Sequence, residues 1–343
     1  MTKNKIMLIG GHGHVGRIIT KNLAPHFPEQ LIIAGRNRRT MEQFVADSQL
    51  PLQVAEFDIT QPIDDTLFTD VKLVVVCIDQ VTTDFVSYCN NAGIDYIDVT
   101  ANTAFYKQLA VLPLTEKSAV VYSVGLAPGL TNLMLAKLYE NAPSFQRADI
   151  KVQLGLADAH GDAAIDWTLN QLNETYTLRG EKNPLKTFSK RRLLELGKTK
   201  QPVYLFNFSD QHTLRDQFPN RRITTYLGFD SRVVTGLMHQ MQKWRLLPLL
   251  NRPFIFKSVK KMMTAKVIGS DAFYAQVATY DKNDQLLQQL TVTGHDEARA
   301  TGLIAAFLIK KVYATKDPAG FVQIDHYCSF DDVVEAIPEL TVL

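Results

Sequence analysis

Between residues 6 and 122 the sequence alternates short apolar runs with longer amphipathic stretches, and this rhythm restricts the fold more than any other feature. Ile6–Ile9, Leu31–Ala34, Leu52–Ala55, Leu73–Ile78, Tyr96–Val99 and Ala119–Tyr122 each read as a strand. Leu73–Ile78 is continuous and β-branched, the pattern of a strand covered on both faces. Helical patterns fill intervals between them, as in Val15–Leu23, Thr82–Ala92 and Thr103–Leu109. Strand–helix alternation of this kind predicts an α/β fold built on a doubly wound parallel sheet. Six strands completed by Tyr122 match the span of a dinucleotide-binding domain.

Beyond Gly125 the texture turns α+β. A helix is expected from Gly129 to about Tyr139, a strand over Ile150–Leu156, and a helix over Asp162–Leu178. Short aromatic strands such as Val203–Phe206 follow, then two strands, Ala272–Tyr280 and Gln285–Thr293, around the turn Asp281–Asp284. The expected division is a nucleotide-binding domain over 1–128, an α+β domain for substrate and dimerisation over 129–296, and a C-terminal return of 297–343 to the first domain. The apolar helix Ala298–Tyr313 opens that return.

Gly11-His12-Gly13-His14-Val15-Gly16 is a G-x-G-x-x-G motif directly after a strand and opening a helix. Gly11 is expected to make the tight turn, Gly13 to admit a pyrophosphate, and Gly16 to allow close helix–strand contact. The helix N–H groups, those of His14 and Val15 among them, then meet the phosphates of a Rossmann-type cofactor. His12 and His14 either touch phosphate or face solvent. An NAD enzyme places a carboxylate about 20 residues past the last glycine. Here Arg36 stands in that place, followed by Asn37, Arg38 and Arg39, and no carboxylate occurs between Glu29 and Glu42. A guanidinium suits a phosphate dianion, which predicts NADP. Asp58, past the third strand, either accepts from the adenine amino group or caps its own turn. The loop Cys77-Ile78-Asp79-Gln80 is expected near the nicotinamide ribose, with Cys77 a packed thiol rather than a nucleophile. Pro128 and Gly129 let backbone pass close to the nicotinamide or simply connect strand to helix.

These segments together resemble the saccharopine dehydrogenase family, particularly its NADP-linked saccharopine reductase-like members. The resemblance rests on Ile9–Gly16, Ala34-Gly35-Arg36-Asn37, Ala92–Asp98 and Gly125–Thr131, and Gly294–Ala306 is similar to the family's late helix. It implies a homodimeric, two-domain, NADP-binding oxidoreductase acting at a carbon bearing nitrogen. Two clusters are candidates for the proton transfer that accompanies hydride transfer. Tyr96, Asp98 and Thr100 lie at the C-terminal end of the fifth strand, where ligands bind in open parallel sheets. Asp158, His160 and Asp162 follow the first strand of the second domain, and His160 titrates near neutrality. Each has a structural alternative: a strand-end acceptor for Asp98, a turn residue for His160, a helix cap for Asp162.

Composition excludes several other classes. Charged residues make up 21% and hydrophobic residues 46%, and 37 basic against 35 acidic side chains leave a net charge of +2. That balance argues against a nucleic-acid partner. The three cysteines, Cys77, Cys89 and Cys328, fit neither a disulfide framework nor a metal motif, so a reducing cytoplasm is expected and no metal. The short apolar run before Gly10 predicts no signal peptide, and no apolar span of membrane length occurs. Residues 231–270 carry eight basic side chains and no acidic one. That segment reads as a solvated basic face, as an attractor of an anionic ligand, or as a membrane-surface contact. The expected function is an NADP-dependent oxidoreductase transferring hydride at a carbon bearing nitrogen or oxygen of a small amino-acid-like substrate. The alternative is a non-enzymatic NADP sensor.

Overall fold

The structure, a computed structural model, describes residues 3–157, 168–247, 269–315 and 320–343, together with residues 252, 254 and 257. Its first compact unit is Met1–Gly125 with Thr301–Ala336, and its second is Leu126–Ala300 with Ile337–Leu343.

In the first unit the apolar runs become β1 (Lys5–Ile9), β2 (Leu31–Gly35), β3 (Gln53–Glu56), β4 (Val71–Val76), β5 (Asp95–Asp98) and β6 (Ala119–Val121). Ile6, Met7 and Leu8 on β1 are fully buried, as are Leu73, Val74, Val75 and Val76 on β4, which is what strands covered on both faces require. A seventh strand, β15 (Gly320–Val322), is added beside β6, and the strands pair in parallel in the order β15-β6-β5-β4-β1-β2-β3. The connection reverses direction at β1, which lies between β2 and β4, so the loops after β1 and β4 flank the crevice where such sheets bind ligands. Between the strands run α1 (His14–Leu23), α2 (Arg38–Ser48), α3 (Asp84–Asn91) and α4 (Thr103–Leu109). α1 buries Gly16, Ile19, Thr20 and Leu23, a single face at helical spacing. The helix Glu297–Ala314 returns to this unit from residue 301, burying Ile304, Leu308, Ile309 and Val312.

The second unit begins with α5 (Thr131–Asn141) and holds a mixed sheet. Its strands are β7 (Arg147–Leu154), β10 (Arg191–Leu196), β11 (Thr199–Leu205), β12 (Arg222–Phe229), β13 (Ala272–Tyr280), β14 (Leu286–His295) and β16 (Thr341–Val342). They lie in the order β10-β11-β12-β7-β13-β14-β16. β12 and β7 run parallel and the other pairs antiparallel. The chain's last residues thus join the second unit through β16, while the return to the first stops at Ala336. The helix expected over Asp162–Leu178 is described only from residue 168. It ends by residue 171, and Tyr176 lies instead in β8 (Thr175–Tyr176), paired with β9 (Leu185–Lys186). In the basic segment residues Arg232–Lys243 form a helix, and most of residues 248–268 lie outside the described residues.

Candidate functional site

The bend after β1 is built by steric exclusion. Gly10, not Gly11, adopts the left-handed backbone, with φ +77°, because the chain reverses one residue earlier than the motif spacing suggests. A Cβ on Gly10 would lie 2.7 Å from Ile78 Cγ2, so the loops after β1 and β4 are in contact. Gly11 is a packing residue: a Cβ there would lie 2.8 Å from Leu8 Cβ, and its carbonyl accepts from Thr20 Oγ1 at 2.8 Å. Gly16 tolerates nothing larger, since a Cβ would sit 2.1 Å from the Gly10 carbonyl oxygen. Gly13 is the α1 N-cap, offers no side chain to the helix, and no acidic residue follows in the first turn. The amides of exposed His14, half-buried Val15 and buried Gly16 therefore open the helix without a capping side chain, at the positive end of its dipole. Such an N-terminus is chemically suited to an anion.

At the end of β2, Arg36 is exposed and makes no hydrogen bond or ion pair among the described residues. Asn37 is committed elsewhere, its Oδ1 capping α2 by accepting from the Thr40 amide at 3.2 Å. Arg38 pairs with Glu42 at 2.8 Å. Asp58 caps its own turn, its Oδ1 accepting from the Thr60 amide at 3.0 Å and the Thr60 hydroxyl at 2.8 Å. Those two bonds, with a further contribution from the Arg36 charge, hold its carboxyl below the usual range. His12 turns toward this end of the site, with its Cε1 3.0 Å from where a Gly35 Cβ would be. Burial and the Arg17 charge lower its pKa, and its Nδ1 is buried without a partner among the described residues.

Past β4, Cys77 is half-buried, and burial and the Asp98 charge push its thiol up to about 12, which keeps it protonated. Ile78 and Asp79 are exposed, while Gln80 is buried. Tyr96 and Asp98, expected as candidates for proton transfer, are both fully buried and face one another instead of solvent. Alternation along β5 puts them on one face, two residues apart. Asp98 Oδ2 accepts from Tyr96 Oη at 2.8 Å and Gln80 Nε2 at 2.7 Å. Its Oδ1 accepts from the Thr100 hydroxyl at 2.6 Å and the Thr100 amide at 2.8 Å. Gln80 also donates to Tyr96 Oη. Burial nevertheless pushes Asp98 up to about 6. The cluster ties the β4 and β5 loops together, and no oxygen of the carboxylate is left for a substrate.

The second unit contributes a buried polar group that composition and spacing did not single out. Pro128 follows a cis peptide, Gly129 has φ +133°, and the Gly129 amide donates to Asn132 Oδ1 at 3.1 Å. Thr131, opening α5, donates to Asp210 Oδ2 at 3.0 Å, and Thr225 donates to Asp210 Oδ1 at 2.6 Å. Burial lifts Asp210 to about 6. On the same helix, Asp210–Gln217, buried His212 shares a 2.8 Å hydrogen bond through Nε2 with Asn207 Oδ1. Asn207 Nδ2 in turn donates to Glu174 Oε2 at 2.7 Å. The signal was the polar run Asn207-Phe208-Ser209-Asp210-Gln211-His212, dense for a segment between buried Phe206 and Leu214. His160, Asp158 and Asp162 lie outside the described residues. Among the described residues no group of His, Cys, Asp and Glu is arranged to hold a metal ion, and no helix is long and apolar enough to cross a membrane.

A glycine bend opening an uncapped helix at the switch point of a parallel sheet defines a Rossmann-type nucleotide-binding unit. Residues 6–125 match the family model described as the saccharopine dehydrogenase NADP binding domain. No curated protein matches the sequence. Among solved structures, saccharopine dehydrogenase (L-Glu forming) from Saccharomyces cerevisiae aligns with a TM-score of 0.62 at 12% identity, covering 99% of this chain and 100% of that one. The homospermidine synthase of Legionella pneumophila, solved in complex with NAD, aligns with a TM-score of 0.63 at 8% identity, covering 97% of this chain and 89% of that one. At such identities the likeness is one of fold.

Proposed function

We propose that the chain is an NADP-dependent oxidoreductase that transfers hydride at a carbon bearing nitrogen or oxygen of a small amino-acid-like substrate. The observation that carries this reading is the uncapped, acid-free N-terminus of α1 behind Gly16, a position that no side chain can occupy. The amides of His14, Val15 and Gly16 would receive the pyrophosphate. Arg36, exposed and without an ion pair among the described residues, would take the 2′-phosphate, which a guanidinium grips through two parallel N–H donors. When bound, the nicotinamide supplies or accepts the hydride. Ile78 and Asp79, on the loop touching Gly10, would meet the neighbouring ribose. Gln80, Tyr96 and Asp98 hold that loop, so in this reading Asp98 and Tyr96 position the site and His160 moves the proton. Pro128 and Gly129 admit the nicotinamide end. A homodimer in a reducing cytoplasm completes the reading, with three free cysteines in its support.

The test is fluorescence titration with NADPH and NADH, followed by turnover against a panel of amino acids and keto acids. Wild type should prefer NADPH. Arg36→Asp should weaken NADPH binding by about tenfold to a hundredfold, the value of a lost charge-assisted hydrogen-bond pair, and leave NADH little changed. An unaltered preference would remove Arg36 from the site.

A further inference from the structure

One face of the second unit's sheet carries charge where a covered sheet is usually apolar. Alternation along β7 puts Asp149, Lys151 and Gln153 on this face, and all three are buried, Lys151 at 3% exposure. Gln276, opposite Lys151 on β13, donates to the Glu195 carbonyl at 2.9 Å. Glu195 lies on β10, four strands away in the sheet order, so the β10–β11 hairpin folds across the face of β7 and β13.

The charges beneath that hairpin do not balance. Asp149 is matched by Arg192 at 3.1 Å and Arg147 at 3.5 Å, and Glu195 is held by Lys200 at 2.8 Å. Lys151 has only a neutral partner, donating from Nζ to Gln276 Oε1 at 3.0 Å, and forms no ion pair among the described residues. A buried ammonium outside any ion pair is costly, and burial lowers its pKa here, against the charges of Asp149 and Glu195 nearby, which partly offset it. Lys151 lines a cavity of about 500 Å³ with Arg191, Arg192, Gln289 and Glu195, the last already paired with Lys200, alongside the apolar surfaces of Leu193, Tyr280 and Leu286. That volume lies in the range of small-molecule sites, roughly 300–1,000 Å³, and exceeds what a lone inorganic anion fills.

We propose that this cavity binds a small organic anion, with its carboxylate on Lys151 and an adjacent guanidinium and its apolar body against Leu193, Tyr280 and Leu286. The lining residues all belong to the second unit.

Calorimetric titration of the full chain with phenylacetate, its neutral amide and inorganic phosphate tests the assignment. Phenylacetate should bind and raise the melting temperature, with the amide and phosphate at least about tenfold weaker. Lys151→Met should weaken phenylacetate by a similar factor while raising the ligand-free melting temperature, because it removes the unpaired buried cation. Leu286→Glu, at a position 52% exposed and so tolerant of charge, should abolish binding by placing a carboxylate in the cavity without unfolding the chain. Equal binding of acid and amide, phosphate binding as tight as phenylacetate, or no binding at all would overturn the proposal. Unchanged affinity in both variants would do the same. So would a Leu286→Glu chain whose sedimentation mass halves, which would make the cavity an interface with a second copy.

Discussion

Asp98 accepts four hydrogen bonds and still titrates near 6 rather than 3.8, because full burial outweighs them. A carboxyl with a raised folded pKa holds its proton more tightly when folded than when unfolded. Its contribution to stability is therefore fullest below about pH 4 and is lost as pH rises through about 6. At ~1.4 kcal/mol per pH unit between those values, the loss is roughly 3 kcal/mol. Asp98→Asn cannot ionise, so urea denaturation from pH 4 to 7 should show wild type losing about that much more stability than the variant across the interval. Parallel curves would mean that Asp98 titrates normally and is not desolvated. The role of this residue was half legible in the sequence. Period-2 spacing puts Tyr96 and Asp98 on one face, but spacing alone does not say whether that face meets solvent or Gln80, sixteen positions upstream of Tyr96.

At the scale of elements, continuous apolar runs identified the central strands because a strand covered on both faces has no alternating signal to confuse. Short or edge strands gave less. β15 is three residues long and only partly buried, so nothing in Gly320–Val322 distinguishes it from a turn. Tyr176 was drawn into an expected helix by its apolar neighbours, although its partner Leu185 lies in a separate strand. The glycine bend was legible as a motif, while the residue that bears the positive φ was not, since Gly10 and Gly11 are adjacent and chemically identical. A later glycine carries a comparable constraint. A Cβ on Gly302 would lie 2.6 Å from Ile18 Cγ2, which fixes the helix Glu297–Ala314 against α1. Gly302→Val should force α1 from its seat, costing about 1–3 kcal/mol as overpacking does, and, in the proposed reading that the α1 amides receive the pyrophosphate, should weaken NADPH binding. Thermal unfolding and the same fluorescence titration would read both. A drop in stability with cofactor affinity intact would separate α1 packing from the anion site.

The first unit is assembled from two separated stretches of chain, since Thr301–Ala336 joins Met1–Gly125 across the intervening Leu126–Ala300. The later stretch is not an ornament. Ile304, Leu308, Ile309 and Val312 are buried to 1% exposure or less, and β15 covers the outer edge of β6. Four such side chains each contribute roughly 1.5–3 kcal/mol by burial, a sum comparable to the whole stability of an ordinary domain at about 5–15 kcal/mol. A chain ending at Ala300 should therefore lose cooperative unfolding of its nucleotide-binding unit, with an exposed β6 edge that promotes association. The family match spans residues 6–125 alone, so it covers the motif-bearing stretch but not the segment that completes the unit's core. Supplying residues 301–343 as a separate chain should restore the transition if packing, rather than covalent continuity, is what the segment provides. Circular dichroism melts of the truncated chain with and without that fragment would decide it, and an unchanged cooperative melt in the truncated chain would show that the first stretch folds without its return.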